Sequence, residues 1–192
     1  MKAWWQLFAN GLTPQECAVI VAAGLALQPL QATVGHGGKV AVDESIRVSR
    51  TAWFERWNVK LMPIFHRLHL MGKQANAYAF GLDLDDFYEC QFTVYDAANQ
   101  GRYHKHVDNC WKPDPAKERA FERKMSMVVQ LSNAAEYEGG RLELENDPLP
   151  ADKFRNQGDV LFFPSWNPHA VTPVTSGVRY SFVSWFLGPR LS

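Results

Sequence analysis

The spacing of apolar residues changes along the chain from a helical period to a strand period. Residues 13–16 read Thr13-Pro-Gln-Glu16, which has the capping-box spacing with proline at the first helical position, and an apolar run follows over residues 17–27. A second apolar pattern near helical spacing covers residues 53–71, with Pro63 as an expected kink. These patterns predict two helices in the first part of the chain.

Later residues alternate between polar and apolar. Over residues 88–95 the members of one face are Glu89, Gln91, Thr93 and Tyr95. Further strands are predicted at residues 124–132, 141–145, 160–163 and 179–187, and residues 111–123 are predicted to be a loop or a short helix. Helices followed by many short strands predict an α+β fold with a jelly-roll barrel, which we divide into helical support at about 13–71 and a barrel at about 86–188.

Composition and charge narrow the class of protein. The chain has 192 residues, of which 46% are hydrophobic, and its formal net charge is zero, so we expect one globular domain over residues 1–192. A neutral chain gives no electrostatic reason for a nucleic-acid or membrane partner. Three cysteines at wide spacing argue against a disulfide framework, and the first residues lack a signal-peptide pattern. We therefore expect a monomer in the cytoplasm.

One constellation of polar residues predicts a metal site. His106 and Asp108 lie two residues apart, so in an extended segment both project to one face, and His169 follows some sixty positions later. His104 has the same parity and is a rival ligand. Two imidazoles and one carboxylate, with other coordination positions open, suit non-haem Fe(II) oxygen chemistry. Arg179 could bind a carboxylate beside this metal through two parallel hydrogen bonds.

The same three ligands allow other functions. With one water they could hold zinc tetrahedrally, and a metal-binding barrel without turnover is a further alternative. Arg179 and Tyr95 discriminate between these functions, because a zinc hydrolase does not need a carboxylate anchor deep beside the metal.

Two longer segments carry a resemblance to a known family. They are Tyr95-Asp-Ala-Ala-Asn-Gln-Gly-Arg-Tyr-His-Lys-His106-Val-Asp108 and Gly158-Asp-Val-Leu-Phe-Phe-Pro-Ser-Trp-Asn-Pro-His169, the latter followed by Arg179-Tyr-Ser181. Both resemble the 2-oxoglutarate- and Fe(II)-dependent oxygenases of the prolyl 4-hydroxylase superfamily, in particular the hydroxylases that act on hypoxia-inducible factor and their bacterial relatives. The resemblance implies a distorted double-stranded β-helix, and its Tyr-x-x-His-x-Asp spacing favours His106 over His104.

The resemblance also implies cofactors and the residues that bind them. The cofactor would be Fe(II), with 2-oxoglutarate and O2 as cosubstrates and ascorbate as a candidate addition. His106, Asp108 and His169 would be the metal ligands, and with Arg179 they would form the catalytic set. Binding of 2-oxoglutarate would fall to Tyr95, Gln130, Arg179 and Ser181, where Gln130 replaces a tyrosine of the hypoxia-type enzymes.

Four residues match substrate-facing positions of these hydroxylases, namely Arg47, Trp53, Arg123 and Trp185. They imply a proline-containing segment of a protein or peptide as the substrate. The glycine-rich run at residues 35–38 supports a mobile lid over about residues 34–51. The alternative substrate is a free amino acid or another small molecule.

Overall fold

The computed structural model describes residues 1–36, 39–85, 87–109 and 121–189. Two α-helices are present in these ranges, α1 (Pro14–Ala26) and α2 (Met62–Ala75), and a π-helical turn, Asn76–Phe80, extends α2. The strands are β1 (Gln6–Phe8), β2 (Leu30–Gln31), β3 (Val34–His36), β4 (Lys39–Ala41), β5 (Arg47–Val48), β6 (Arg50–Phe54), β7 (Phe87–Asp96), β8 (Arg102–His106), β9 (Phe121–Gln130), β10 (Tyr137–Gly139), β11 (Leu142–Leu144), β12 (Val160–Pro164), β13 (His169–Val171) and β14 (Val174–Pro189).

Most of these strands form two sheets. The larger sheet has the order β1-β12-β9-β14-β7-β6-β2, with β10 paired to β14, and the smaller sheet has the order β11-β13-β8-β5. All pairings in both sheets are antiparallel. The long strand β14 pairs with both β7 and β9, so it forms the centre of the larger sheet. This two-sheet jelly roll is the predicted double-stranded β-helix.

The hydrophobic core lies mainly on the outer face of the larger sheet. There, alternate residues of the central strands, including Phe92 and Phe182, pack with Ile20 of α1 and Leu68 of α2. A smaller apolar cluster lies between the two sheets and includes Leu161 and Phe163 of β12, Leu144 of β11 and Val171 of β13. The helices therefore support the barrel from outside, as predicted.

The first helix begins as the sequence predicts. The Thr13 side chain accepts a hydrogen bond from the Glu16 backbone N–H at 3.2 Å, and the Thr13 backbone N–H donates to Glu16 Oε2 at 2.8 Å. These reciprocal bonds form a capping box and satisfy donors that the first turn of a helix leaves without partners.

The start predicted for the second helix is wrong. Residues 50–54 form strand β6, and α2 begins only at Met62. Pro63 lies in the first turn of α2, where its missing N–H costs no intrahelical hydrogen bond, so it helps to start the helix and does not kink it. Trp53 consequently lies on a strand opposite Gln91 of β7.

The strands predicted in the second half are present, but β9 begins and ends before its predicted bounds and β14 extends beyond its predicted bounds at both ends. Residues 110–120 of the expected loop and Gly37 and Gly38 of the expected lid lie outside the described ranges. The remainder of the lid segment divides into two parts. Residues 34–36 pair with residues 39–41, whereas residues 47–48 pair with β8 and residues 50–51 pair with β7. The lid over about residues 34–51 stays a prediction, and the sheet pairing of its last residues argues against movement there.

Two further observations concern the described ranges. Within these ranges, no helix is long and apolar enough to cross a membrane. Cys17 and Cys90 are free thiols in the core, where burial raises the pKa of each to about 12, and Cys110 lies outside the described residues.

A glycine of α1 gives a test of this packing. A Cβ at Gly24 would lie 2.4 Å from Phe92 Cγ, which is close to the β7 backbone and cannot move alone. Gly24→Ala should therefore lower the free energy of unfolding by about 1–2 kcal/mol, although alanine is the better helix former. Urea denaturation measures this change. The reverse substitution at an exposed site, Ala22→Gly, should cost only about 1 kcal/mol from helix propensity. A Gly24→Ala variant as stable as the wild type would contradict the packing.

Candidate active site

Three predicted metal ligands lie together between the two sheets. The ligand atoms of His106, Asp108 and His169 all lie within 4.8 Å of one another. His106 Nε2 is 3.6 Å from Asp108 Oδ1, and His169 Nε2 is 3.5 Å from Asp108 Oδ2. All three side chains are largely buried. Each residue thus directs one donor atom at a common point, an arrangement that suits a divalent transition metal.

Pairing of β8 with β13 places the two imidazoles side by side. His169 is opposite His106, and Val171 is opposite Tyr103, so β8 has one residue more than β13 between these pairs. Such a bulge breaks the two-residue alternation of a strand. Tyr103 and His106 therefore lie on one face with their rings stacked 3.5 Å apart, whereas His104 is exposed and absent from the metal cluster of the described residues.

Backbone carbonyls orient both imidazoles. His106 Nδ1 lies 2.8 Å from the His104 carbonyl oxygen, and His169 Nδ1 lies 2.9 Å from the Asn167 carbonyl oxygen. A protonated Nδ1 that donates to a carbonyl leaves the unprotonated Nε2 free to bind a metal. Both Nε2 atoms are the ones that approach Asp108.

Ser126 of β9 fixes the carboxylate of Asp108. Its hydroxyl donates to Asp108 Oδ2 at 2.6 Å and lies 3.0 Å from the hydroxyl of Ser165. The backbone N–H of Asp108 donates to the Ser165 carbonyl at 2.9 Å. The carboxylate is thereby held although Asp108 lies beyond the last residue of β8.

Burial and charge act in opposite directions on these ligands. Burial of Asp108 disfavours its charged form, but His169, His106 and the cation of Arg123 outweigh this effect and hold the pKa of the carboxyl well below its ordinary value. Burial lowers the pKa of His169, although Asp108 and the Asn167 carbonyl oppose this shift. At neutral pH the site therefore offers an ionised Asp108 and a neutral His169, which are the forms that bind metals.

A cavity of about 230 Å³ opens beside the three ligands. Its charged and aromatic walls contain every other predicted site residue except Gln130, and they include Tyr103 as well. The predicted members are Arg47, Trp53, Tyr95, Arg123, Arg179, Ser181 and Trp185. The fold thus brings nearly all of the predicted residues to one cavity.

Arg179 is buried on β14 with only 2% of its surface exposed. It lies opposite Tyr95 of β7, and Ser181, two residues further along β14, lines the same cavity. Its Nε donates to Gln130 Oε1 at 3.0 Å, and Gln130 Nε2 in turn donates to the Tyr137 hydroxyl at 2.9 Å and to the Ser132 carbonyl at 3.1 Å. Both ends of the Gln130 amide are therefore engaged by the protein itself.

Aromatic and charged side chains meet at another part of the cavity wall. The Arg123 guanidinium lies 3.7 Å from the ring centre of Trp185, and its Nε donates to Glu89 Oε2 at 2.6 Å. The rings of Trp53 and Trp185 are 6.2 Å apart, and half of the Trp53 surface is exposed. This wall combines an exposed indole with a cation held in place by a carboxylate.

Several residues of this site are absent from the sequence predictions. Ser126 fixes Asp108, Tyr137 supports Gln130, and Glu89 holds Arg123. The sequence does carry a signal for Ser126, because it is polar at the inward parity of β9, two and four residues before Val128 and Gln130. Tyr137 has no such signal, since its contact depends on the pairing of β10 with β14.

A family model for the 2OG-Fe(II) oxygenase superfamily matches residues 90–187, which contain the metal cluster and most of the barrel. The chain belongs to this superfamily, and the resemblance inferred from its motifs is confirmed at that level. Membership implies Fe(II) as the cofactor, with 2-oxoglutarate and O2 as cosubstrates. The two imidazoles, the carboxylate and the buried arginine of the cavity fit these groups.

Curated relatives are similar over part of their length. A PKHD-type hydroxylase of Psychrobacter sp. is 34% identical over 83 residues, which are 43% of this chain and 32% of that protein. A PKHD-type hydroxylase of Teredinibacter turnerae is 34% identical over 101 residues, which are 53% of this chain and 43% of that protein. The chain thus spans less than half the length of these relatives in the alignments.

Solved structures share the fold over nearly the whole chain. A Pseudomonas putida prolyl-4-hydroxylase superposes with a TM-score of 0.71 and 22% identity, covering 98% of this chain and 94% of that one. A prolyl hydroxylase from Trichoplax adhaerens, in complex with a hypoxia-inducible factor peptide, superposes with a TM-score of 0.69 and 19% identity, covering 96% and 84%. These likenesses confirm the jelly-roll fold.

The hydrogen bond from Ser126 to Asp108 gives a test of the metal site. Ser126→Ala should weaken Fe(II) or Mn(II) binding by roughly 10–100-fold, because the carboxylate loses the donor that orients it. Asp108→Ala, which removes a ligand, should abolish binding. Metal titration followed by calorimetry measures both effects.

The matched control is Ser184→Ala, because Ser184 is an equally buried serine that donates to the Glu89 carbonyl away from the cluster. It should bind metal as the wild type does. Equal affinities for Ser126→Ala and Ser184→Ala would show that Ser126 does not support the metal.

Proposed function

We propose that this protein is an Fe(II)- and 2-oxoglutarate-dependent dioxygenase that hydroxylates prolyl residues in a protein or peptide. The observation that carries the proposal is the presence of a metal-ligand cluster and a buried arginine in one cavity. A zinc hydrolase would not need the second of these features. Superfamily membership supports the same cofactor and cosubstrates.

His106, Asp108 and His169 would hold the iron through their Nε2 and carboxylate oxygen atoms. The metal and 2-oxoglutarate, when bound, couple oxidative decarboxylation of the cosubstrate to hydroxylation of a C–H bond. The protein's own part is to bind and orient the metal, the cosubstrate and the substrate, and to exclude water from the site. Burial of the three ligands between the sheets serves the last of these roles.

Arg179 would bind the distal carboxylate of 2-oxoglutarate, with Ser181 and Tyr95 as neighbours on the cavity wall. Only the Nε–H of Arg179 has a partner in the described part of the chain, and that partner is the neutral Gln130. The remaining guanidinium donors can therefore serve a carboxylate. We propose that Gln130 acts by positioning Arg179, since the oxygen and the nitrogen of its side-chain amide are both engaged by protein groups. Its direct contact with the cosubstrate stays a prediction.

Several observations support a prolyl substrate. The cavity wall presents Trp53, Trp185, Arg123 and Arg47, which match substrate-facing positions of prolyl hydroxylases. Proteins named prolyl hydroxylases share the fold over nearly its full length. An exposed Trp53 beside Trp185 offers apolar surface for a pyrrolidine ring and its flanking backbone.

A hydroxylase of a free amino acid is the second candidate, because the buried Arg47 could serve a free carboxylate in the same cavity. Activity on free proline, with none on proline-containing peptides, would favour it. Further predictions accompany the proposal. The chain is expected to act as one catalytic domain and as a monomer in the cytoplasm, with ascorbate as an additional cofactor.

The role of Arg179 is tested by its removal. Arg179→Ala should weaken 2-oxoglutarate by at least about tenfold, because charge-assisted hydrogen bonds contribute about 1.5–3 kcal/mol each. Metal affinity should stay unchanged. Decarboxylation of 2-oxoglutarate, measured at increasing concentrations, gives the apparent affinity. The control Arg141→Ala removes an exposed arginine outside the cavity and should leave the affinity intact. An unaltered affinity in Arg179→Ala would remove much of the case for an oxygenase.

The role of Trp53 is tested by comparing two activities. Trp53→Ala should slow peptide hydroxylation far more than the uncoupled decarboxylation of 2-oxoglutarate, because the cosubstrate residues lie on β7 and β14 and not on β6. Trp57→Ala is the matched control, since Trp57 is 69% exposed and lies outside the cavity wall. Equal losses in both activities would mean that Trp53 is structural.

A further inference from the structure

Arg47 is a buried cation on the wall of the catalytic cavity. It begins strand β5, and only 7% of its surface is exposed. Burial of this degree is unusual for arginine, which normally keeps its guanidinium in water unless a partner compensates for the lost hydration. The hydrogen-bond partners of Arg47 therefore need to be considered one by one.

The partners of Arg47 in the described part of the chain are neutral. Its Nε donates to the Ser49 hydroxyl at 2.7 Å, and its Nη2 donates to Gln91 Oε1 at 3.0 Å. The guanidinium also lies 4.6 Å from the ring centre of Tyr103. No carboxylate of the described residues lies within ion-pair distance. A guanidinium has five N–H donors, so these two bonds leave most of its donors for a ligand.

The other two arginines of the cavity differ from Arg47 in this respect. Arg123 is paired with the carboxylate of Glu89 at 2.6 Å. Arg179 is the residue to which the proposed function assigns the cosubstrate carboxylate. Arg47 is thus the cation of the cavity wall that has no counter-ion among the described residues and no proposed role in binding the cosubstrate.

Arg47 also lies close to the metal ligands. It is opposite Tyr103 in the pairing of β5 with β8, and the Tyr103 ring stacks on His106 with 3.5 Å between ring centres. The guanidinium is therefore no farther from the His106 ring than the sum of the two ring distances. Arg47 and the three metal ligands line the same cavity, so a molecule that reaches the metal can also contact Arg47.

We propose that Arg47 is a carboxylate-binding subsite for the substrate, so that the hydroxylated molecule carries a carboxylate near the reacting carbon. This inference rests on the proposed function. The carboxylate has two sources, an acidic side chain beside a prolyl residue in a peptide or the α-carboxylate of a free amino acid. Either would supply the anion that buried Arg47 lacks.

The test compares matched ligands of similar shape, one with a carboxylate and the other with the corresponding amide. The protein is loaded with Mn(II) and 2-oxoglutarate without O2, so that binding is measured without turnover, and tryptophan fluorescence reports binding. One ligand pair consists of blocked peptides with Glu or Gln on either side of a proline. The other pair is L-proline and L-prolinamide. In at least one pair the carboxylate should bind at least about tenfold more tightly than the amide.

Two variants assign this preference to Arg47. Arg47→Gln should reduce the carboxylate-to-amide ratio to about one, with little change in 2-oxoglutarate affinity. Gln91→Glu keeps the shape and acceptor atoms of Gln91 but gives Arg47 an internal counter-ion, so it should also remove the preference even where Arg47→Gln fails to fold. The control is Arg50→Gln. Arg50 lies on β6, the next strand along the chain, and outside the cavity wall, so this variant should keep the wild-type ratio.

The outcomes separate the two proposals. A preference within the peptide pair identifies an acidic peptide, and one within the proline pair identifies a free carboxylate. Equal binding within both pairs, or a preference that survives in Arg47→Gln or in Gln91→Glu, would overturn the subsite. If the Fe(II)-loaded wild type did not decarboxylate 2-oxoglutarate in air, the proposed function would be overturned instead. The binding ratios are measured without turnover, so they do not depend on that activity.

Discussion

Charge buried on the inner side of the barrel is the constraint on which the rest of the structure depends. Arg47, Arg179 and Asp108 lie between or beside the sheets, where moving a charge out of water is costly. An inner face with these groups cannot also supply a full apolar core. The main core therefore lies on the outer face of the larger sheet, and α1 and α2 are needed to cover it. Strand alternation serves both faces, with Phe92 outside and Gln91 inside.

The bulge in β8 shows how much of the site the sequence can predict. The residue types and their spacing predict a metal site only together with the flanking segments, which resemble the oxygenase family over both ligand stretches. Strand parity alone, however, left His104 as a rival to His106. The extra residue of β8 opposite β13 removes His104 from the inner face and stacks Tyr103 on His106. Such a bulge depends on the partner strand, so periodicity within one strand cannot reveal it.

The same distinction between local and non-local interactions explains the fold predictions. The start of α1 was predictable because the Thr13–Glu16 capping box is complete within four residues. The alternation of β7 was predictable because one face carries polar residues to the cavity. Trp53 was misplaced because its apolar ring fits a helical period as well as a strand, and only pairing with β7 decides between them. The link from Tyr137 through Gln130 to Arg179 likewise depends on distant strands.

The balance of charge in the cavity connects the fold to the choice of substrate. The chain as a whole is neutral, but the described residues of the cavity wall include three arginines and one carboxylate, that of Asp108. A divalent metal would add positive charge, and the two negative charges of 2-oxoglutarate would cancel only that addition. Glu89, which lies outside the wall, offsets the charge of Arg123. One positive charge is then left, that of Arg47. A cavity with low-dielectric walls concentrates such a field and attracts anions. An anionic substrate therefore completes the electrostatics of the site, whereas a neutral one would leave Arg47 buried without a counter-ion from the described part of the chain.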